Sequence, residues 1–266
     1  MSTDLMTGLA DRPTTDRSCG LRLEKVCAGY GSSTVLAELE LDVGPGEFVV
    51  IVGPSGCGKS TLLRILAGLL PVQSGQILVD GQPVTGPSAD RALVFQDDGL
   101  LPWRTAQHNV ELPLAIRRLP RARRAALARA ALDRVGLAGY EKHLPRQLSG
   151  GMRQRVQLAR TLVGSPRVLL MDEPFGALDA QNRAGMQRLL IDVWQRSPTT
   201  VVFVTHDVDE ALLLADRIAV LGPARGELIT VIDVPHPRTQ QAPSPATRSA
   251  RATILAALGS QAEEPS

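Results

Sequence analysis

The chain has 266 residues, of which 44% are hydrophobic and 21% charged, a composition typical of a globular protein with one large or two small domains. Its 29 Lys and Arg residues nearly balance its 27 Asp and Glu residues, and the formal charge of +2 argues against a polyanion binder. With 4 Phe, 2 Trp and 2 Tyr, the chain also has few aromatic rings for stacking on single-stranded nucleic acid. No apolar run reaches the roughly 18 residues needed to span a bilayer.

The N-terminus lacks the basic and apolar segments of a secretory signal. The three cysteines show no metal-ligand spacing and favour a reducing, cytoplasmic setting. Polar, aperiodic sequence predicts a disordered N-terminus over residues 1–18 and a flexible tail over 235–266, with a short helix at ATILAAL. We expect one folded domain between them, residues 19–234, with a core and a strand-free helical insertion: core residues 19–96 and 164–234, insertion residues 97–163.

Apolar periodicity indicates an α/β fold. Three continuous apolar runs rich in branched residues predict parallel strands buried on both faces: Phe48–Val52, Val168–Met171 and Val201–Val204. Three helices are predicted, each ending before a glycine: Lys59–Ala67, Arg121–Val135 and Gly151–Val163. Upstream, Leu39, Leu41 and Val43 alternate with polar residues, and the turn GPGE then leads into FVVIV, which predicts an antiparallel strand pair half open to solvent.

One stretch carries a specific phosphate-binding signal. After Phe48–Val52 the sequence reads GPSGCGKST, which matches G-x-x-x-x-G-K-[ST] with a strand before it and a helix after it. Glycines let backbone N–H groups curl around phosphate oxygens. Lys59 reaches the β- and γ-phosphates, and the Ser60 hydroxyl is a hard ligand suited to Mg²⁺. The predicted nucleotide-binding residues of this loop are Gly53, Pro54, Ser55, Gly56, Cys57, Gly58, Lys59, Ser60 and Thr61.

Cys57 in this loop has two interpretations. A thiol at a helix N-terminus near a lysine can be acidified and reactive. Alternatively, Cys57 is a small residue tolerated between two glycines.

Polar side chains follow the other predicted strands where those strands end. Asp172 and Glu173 follow the second apolar run, His206 follows the third, and Gln96 follows a short strand at Arg91–Phe95. Ligands of parallel sheets bind at the carboxyl ends of the strands, so these residues should converge on the phosphate loop. We expect Asp172 to be the Mg²⁺ partner opposite Ser60, Glu173 to take a proton from the attacking water, and Gln96 to touch the metal or that water.

A second anion site is predicted at LSGGMRQR. Ser149 is a natural N-cap, and the N–H groups at Gly150, Gly151 and Met152 begin the next helix. One chain thus has two phosphate-binding helix starts but one nucleotide pocket at the sheet edge. A head-to-tail pair, in which each second site closes over the nucleotide of the other copy, accounts for both. An ordinary serine cap is the alternative.

Over residues ~20–234, the motifs described above and their order along the chain resemble those of the ATP-binding-cassette (ABC) ATPase subunits of transporters. The resemblance implies a P-loop NTPase (RecA-like) parallel sheet core with an N-terminal antiparallel β subdomain and an inserted helical subdomain, binding ATP and Mg²⁺. Met152 departs from the commonest signature, which has Gln. The implied roles are catalytic base for Glu173, γ-phosphate contact for His206, adenine stacking for Tyr30, action in trans for Ser149 and Gly151, and partner contact for Asp179.

A finer similarity lies in FQDDGLLPWRTAQHNVELPL and DEPFGALDAQNR, which resemble the ATPase subunits of nitrate, sulfonate and taurine importers, with taurine the nearest. This implies a homodimer bound to a transmembrane permease at the cytoplasmic face of the membrane, served indirectly by a periplasmic solute-binding protein and binding no nucleic acid. LLPW, Leu100–Trp103, is expected to line a groove for a permease helix, the alternative being a minor core contact for Trp103.

Other interpretations remain open on the sequence. A soluble mechanical ATPase of the same fold usually has long coiled coils or tandem cassettes, and a phosphate-loop kinase needs no LSGG element. The insertion also contains seven arginines, expected to form a solvated face or, alternatively, to contact lipid headgroups: Arg117, Arg118, Arg121, Arg123, Arg124, Arg129 and Arg134.

Overall fold

The computed structural model describes residues 20–196, 199–235 and 244–259, so the predicted disordered segment 1–18 lies outside the described residues. The described strands, numbered in chain order, are β1 (Leu21–Tyr30), β2 (Ser33–Val43), β3 (Phe48–Val52), β4 (Ser74–Val79), β5 (Gln82–Pro83), β6 (Arg91–Val94), β7 (Val168–Asp172), β8 (Thr200–Val204), β9 (Arg217–Leu221) and β10 (Leu228–Asp233). They form a six-stranded sheet in the order β10-β9-β3-β8-β7-β6 and a four-stranded sheet in the order β2-β1-β4-β5.

The described helices are α1 (Lys59–Ala67), α2 (Ala106–Val110), α3 (Leu112–Ile116), α4 (Arg121–Arg134), α5 (Gly150–Leu162), α6 (Ala180–Arg196), α7 (Val208–Leu214) and α8 (Pro245–Gly259). The three predicted helices correspond to α1, α4 and α5, with bounds that differ by at most one residue. Within these ranges, no helix combines the length and apolar character needed to cross a membrane.

The larger sheet is buried on both faces. Strands β9, β3, β8, β7 and β6 are parallel, and β10 is antiparallel to β9. Every residue of β3 and β8 is buried, as their continuous apolar sequences predict. On one face the sheet packs against α1 and the smaller sheet, and on the other against the helices that follow β6. Helix α1, which follows β3, therefore begins at the edge of a sheet that is packed on both faces.

The predicted antiparallel pairing of β2 with β3 is wrong, although β2 does belong to an antiparallel pair that is half open to solvent. Strand β2 pairs with β1, while the turn after Val43 sends the chain into β3 of the other sheet. The alternating sequence of β2 buries Leu39, Leu41 and Val43 and exposes the residues between them. The uniformly apolar β3 needs cover on both faces, which the half-exposed smaller sheet does not offer.

Between residues 97 and 163 the chain forms helices α2 to α5 and no strand. The four-residue spacing of Leu127, Ala131 and Val135 predicts a buried stripe on α4; Ala131 and Val135 are buried, whereas Leu127 is only partly buried against the same core.

The expected solvated face of arginines is wrong for Arg117, whose guanidinium donates to the carbonyl oxygens of Gly164 and Ala89. These carbonyls need donors near the core, so Arg117 fastens the insertion to the residues on either side of it. The expectation is also wrong for Arg124, which donates to the carbonyl oxygen of Leu119 and pairs with the buried Glu111.

The predicted tail contains a docked helix that is longer than the short one expected at ATILAAL. Helix α8 buries Ala250 and Ile254, one turn apart, in the main core, where it contacts α7. Arg251 forms a 2.8 Å ion pair with Asp209 of α7. The apolar residues of α8 thus gain cover that their sequence alone does not reveal. Residues 236–243 and 260–266 of this segment lie outside the described residues.

Candidate functional site

The register of the parallel strands brings the candidate residues to one edge of the sheet. Val204, the last residue of β8, pairs with Ile51 of β3 on one side and with Asp172 of β7 on the other. Met171 of β7 pairs in turn with Val94 of β6. The strands therefore end at the same level: Gly53 and Glu173 are the first residues after β3 and β7, and Gln96 and His206 are the second residues after β6 and β8.

The phosphate loop has glycine where the backbone is left-handed or where a side chain would collide with neighbouring atoms. Gly58, just before α1, has φ 104°, and an ideal Cβ there would lie 2.7 Å from Leu36 Cδ2. A side chain at Gly53 would meet the carbonyl oxygen of Leu221 at 2.8 Å. Any larger residue must shift the loop or its neighbours, so these glycines maintain the curvature that exposes the backbone N–H groups at the start of α1.

Lys59 lies inside this loop rather than extending into solvent. Its side chain is buried, and Nζ donates to the carbonyl oxygens of Gly53 and Pro54 at 2.8 Å each. An ammonium group has three N–H donors, so the same group can also donate to a phosphate oxygen. Pro54, Ser55, Gly56 and Ser60 are exposed around it. The loop therefore presents a fixed positive charge at the N-terminus of a helix, an arrangement suited to anions.

The structure favours the small-residue interpretation of Cys57. Its side chain is buried, and burial raises the pKa of the Cys57 thiol, outweighing the opposite effect of Lys59. Because the thiolate is the reactive form, a raised pKa lowers the reactivity of this cysteine.

Asp172 and Ser60 meet at the metal position expected from the sequence. Burial raises the pKa of the Asp172 carboxyl group, as does the charge of Glu173 to a smaller extent, while the neighbouring Ser60 side chain lowers it. A partly buried carboxylate of this kind is stabilised by a cation. Among the described residues no three His, Cys, Asp or Glu side chains cluster as a metal site. One carboxylate with neutral oxygens suits Mg²⁺, which keeps waters and substrate phosphates as its other ligands.

Glu173 and His206 form a direct hydrogen bond of 3.0 Å between Oε2 and Nδ1. A carboxylate can only accept, so the proton lies on Nδ1 and the other ring nitrogen of a neutral His206 is an acceptor. Glu173 also has φ 43°, a left-handed conformation that is strained for a residue with a side chain. Its N–H donates to the carbonyl oxygen of Val204, which holds the backbone in that conformation. The sequence predicted a shared edge for these two residues but not their contact.

Gln96 lies across Gly176 from Glu173. An ideal Cβ at Gly176 would lie 3.8 Å from both Gln96 Nε2 and Glu173 Oε2, so the two side chains lie on either side of this residue. Gln96 itself is exposed at the sheet edge. Its amide can therefore reach a ligand that contacts the Glu173 carboxylate.

Three polar side chains of α5 fasten the loop that follows Gln96, and sequence reasoning missed them. Gln157 donates to the carbonyl oxygens of residues 95 and 97, and Arg160 donates to those of residues 98 and 99. Arg153 pairs with Asp98 at 2.9 Å. Their spacing of four and three residues along α5 was the available signal. The contacts join the Gln96 loop to the helix that begins at Ser149.

Ser149 caps α5 as predicted, with Oγ accepting from the N–H of Met152 at 3.2 Å. An ideal Cβ at Gly151 would lie 3.3 Å from Asn182 Oδ1. Asn182 in turn donates from its backbone N and side-chain Nδ2 to the Asp179 carboxylate, at 2.9 and 2.6 Å. These hydrogen bonds lower the pKa of Asp179 and keep it ionised. Asn182, which sequence reasoning missed, thus connects the Ser149 turn with the exposed Asp179.

The Ser149 turn and the phosphate loop belong to different parts of the chain's surface. Helix α5 contacts β6, the outermost strand on its side, whereas the phosphate loop follows β3. Three strand positions separate β3 from β6, or about 14 Å across the sheet. The anion site at Ser149 is therefore displaced sideways from the nucleotide pocket of the same chain.

Tyr30, the expected adenine-stacking residue, is at the end of β1 beside α1. Its ring is 46% exposed, and its hydroxyl accepts a 2.7 Å hydrogen bond from Arg64. Hydrogen bonding to Thr61 and then to Arg64 lowers the pKa of Tyr30.

Comparisons with known proteins identify relatives of this chain. A family model described as ABC transporter matches residues 36–176. The chain is 47% identical over 222 residues to a putative ATP-binding protein of Brucella abortus (strain 2308), covering 83% of this chain and 85% of that protein. It is 50% identical over 211 residues to the taurine import ATP-binding protein TauB of Pseudomonas entomophila (strain L48), covering 79% and 82%, respectively.

Solved structures show the same architecture. The dimeric structure of MJ0796, a bacterial ABC transporter cassette, matches with a TM-score of 0.72 and 33% identity, covering 81% of this chain and 99% of that one. The structure of cbiO1 from Clostridium perfringens, part of an ABC transporter complex, matches with a TM-score of 0.73 and 28% identity, covering 80% and 88%. The predicted fold class is confirmed. The chain belongs to the ABC transporter family, as an ATP-binding cassette.

Proposed function

We propose that the chain is the ATP-hydrolysing subunit of an ABC importer, acting as a peripheral subunit at the cytoplasmic face of the membrane. The observation that carries the proposal is the edge where Lys59, the Ser60–Asp172 pair and the Glu173–His206 pair come together. A phosphate cradle, a carboxylate with a hydroxyl for a divalent cation and a carboxylate–imidazole pair are the parts that triphosphate hydrolysis needs.

Binding and charge neutralisation come from the loop. Lys59 and the N–H groups at the start of α1 hold the phosphates, with Gly53, Gly56 and Gly58 allowing close approach. Ser60, Asp172 and Gln96 would hold Mg²⁺, which neutralises charge on the β- and γ-phosphates. Since burial disfavours the ionised Asp172, binding of the cation stabilises the carboxylate form that the site requires.

Proton transfer is assigned to Glu173. While Oε2 accepts from His206, the second carboxylate oxygen can accept a hydrogen bond from the attacking water, orient it and take its proton. His206 fixes the direction of the carboxylate and, with a largely exposed ring, can turn to the γ-phosphate when nucleotide is bound. Gln96 lies close enough to Glu173 to touch the same water or the metal.

A second copy completes each site. Ser149, Gly150 and Gly151 of one chain would close over the nucleotide held by the other, because these groups are displaced from the phosphate loop of their own chain. Asp179, kept ionised and exposed by Asn182, would contact the partner copy beside that nucleotide. The dimeric cassette structure to which this chain is similar supports this pairing.

Transport requires a permease, and we assign the cargo to taurine or a related sulfonate. The name of the Pseudomonas entomophila relative supports this cargo, and a periplasmic solute-binding protein would deliver it. Of the segment Leu100–Trp103 expected to line a groove for a permease helix, Leu100 is buried in the core, whereas Trp103 is 72% exposed and remains the candidate contact. Because an ATPase subunit does not touch the cargo, the assignment depends on similarity rather than on any residue of this site.

Glu173→Gln should reduce ATP turnover about 100-fold or more, because the amide cannot take the proton of the attacking water. ATP binding should persist, since the amide keeps the shape of the side chain. Lys59→Ala is the matched comparison and should weaken ATP binding itself. Phosphate release and equilibrium binding measure the two effects, and a Gln variant with normal turnover would show that Glu173 is not the base.

Asp172→Asn should raise the melting temperature of the nucleotide-free protein at pH 7 while reducing the stabilisation by Mg²⁺ and ATP. The pKa of Asp172 is raised in the folded state, so its favourable contribution to folding is present at low pH and is lost as the pH rises through that pKa. The gain from Asn should therefore shrink as the pH falls. Thermal unfolding of the wild type, of this variant and of Asp192→Asn, a control at an exposed position, tests the prediction. Equal melting temperatures of the wild type and Asp172→Asn at pH 7 would contradict it.

Deleting the gene should abolish ATP-dependent uptake of labelled taurine in the source cells. The wild-type chain should restore uptake, whereas Lys59→Ala should not, because the carrier then lacks its energy source. Unchanged taurine uptake in the deletion strain, with loss of nitrate uptake instead, would overturn the cargo and leave the ATPase assignment in place.

A further inference from the structure

Tyr30 lies at the tip of the β1–β2 hairpin, where few contacts hold its side chain. Tyr30 pairs with Ser33 across a two-residue turn in which Gly31 has φ 58°. Gln73 reinforces the turn by donating to the carbonyl oxygen of Gly31 at 3.3 Å. These contacts fix the backbone, but the ring itself is 46% exposed and is not held by packing alone.

The hydroxyl of this ring is held from another part of the molecule. Arg64 Nη1 donates to the Tyr30 hydroxyl at 2.7 Å, and the neighbouring Thr61 side chain lowers the pKa of the same hydroxyl. Thr61 ends the phosphate loop, and Arg64 lies on the next turn of α1. The ring and the phosphate cradle belong to different sheets, so the hydrogen bond from Arg64 is a direct link between the two.

We propose that Arg64 is a positioning residue for nucleotide binding, which holds the Tyr30 ring in the orientation that stacks on the base. The proposal rests on the proposed function and on the adenine-stacking role that the family resemblance implies for Tyr30. Because α1 supplies both the phosphate-binding N–H groups and Arg64, the helix fixes the distance and angle between the phosphate site and the base site. Nucleotide then meets a ring that is already ordered, which removes an entropic cost of binding.

A different role for Arg64 has to be separated from this one. Its charge also lowers the pKa of Asp172, so its loss could act on the metal and the phosphates instead of on the base. Mg·ADP and Mg·pyrophosphate distinguish the two roles, because both carry two linked phosphates and Mg²⁺, but pyrophosphate has no base. An effect through Tyr30 changes the dissociation constant of ADP alone, whereas an effect through Asp172 changes both.

The experiment measures Kd for both ligands by titration calorimetry in Arg64→Ala, Tyr30→Phe and the double variant. Tyr30→Phe keeps the stacking ring and removes the hydroxyl that Arg64 holds. We expect each single variant to weaken ADP binding about 3- to 10-fold. The double variant should be no weaker than the more affected single one, and pyrophosphate binding should not change. Arg64→Lys should recover part of the loss. The matched control is Arg22→Ala, because Arg22 is an exposed arginine of β1 that pairs with Asp42.

Equal weakening of both ligands by Arg64→Ala, additive losses in the double variant, or an unchanged Kd for ADP would each overturn the proposal. Lys59→Ala separates this failure from failure of the proposed function. If the chain is an ATP-binding cassette, that variant weakens both ligands whatever Arg64 does, and if it weakens neither, the assignment of the phosphate loop is wrong.

Discussion

Strands β3, β7 and β8 end side by side in the sheet, and this register determines where the residues of the site lie. Val204 pairs with Ile51 and with Asp172, so the strands stop together and the next one or two residues of each enter the same space. A shift of one residue in a parallel strand would turn its side chains to the other face and separate these groups. The apolar residues of β3 and β8, all buried, make such a shift costly. The register, set by burial of the sheet, thus positions groups that are themselves polar.

Much of this arrangement follows from the sequence, because apolar runs and glycine-rich turns are local signals. Strands β3, β6, β7 and β8, helix α1, the loop at Lys59 and the Ser149 cap were predicted from short stretches of residues, whereas β1, β4, β5, β9 and β10 were not. Contacts between distant residues were not predicted either. The pairing of β2 with β1, the bond between Glu173 and His206, the three α5 side chains on the Gln96 loop and the docking of α8 depend on tertiary structure that no single segment encodes.

The same site contains two residues that oppose folding, one through its backbone conformation and one through the burial of its charge. Glu173 is held at φ 43°, where a residue with a side chain typically loses about 1–2 kcal/mol. Asp172 ionises against the effect of its own burial. Both are stabilised by neighbours of the same edge, Val204 for the backbone of Glu173 and Ser60 for the carboxyl of Asp172. Local strain at this edge is offset by the packed sheet beneath it, which fits a site built for a triphosphate and its cation.

The claim on which the functional account depends is that ATP joins two copies of the chain through the Ser149 turn. Sedimentation of the Glu173→Gln protein tests it directly, with and without Mg²⁺ and saturating ATP. We expect a monomer without nucleotide and a dimer with ATP, and we expect that adding Ser149→Arg abolishes the dimer while ATP still binds. A protein that binds ATP and stays monomeric, or a dimer unaffected by Ser149→Arg, would contradict it.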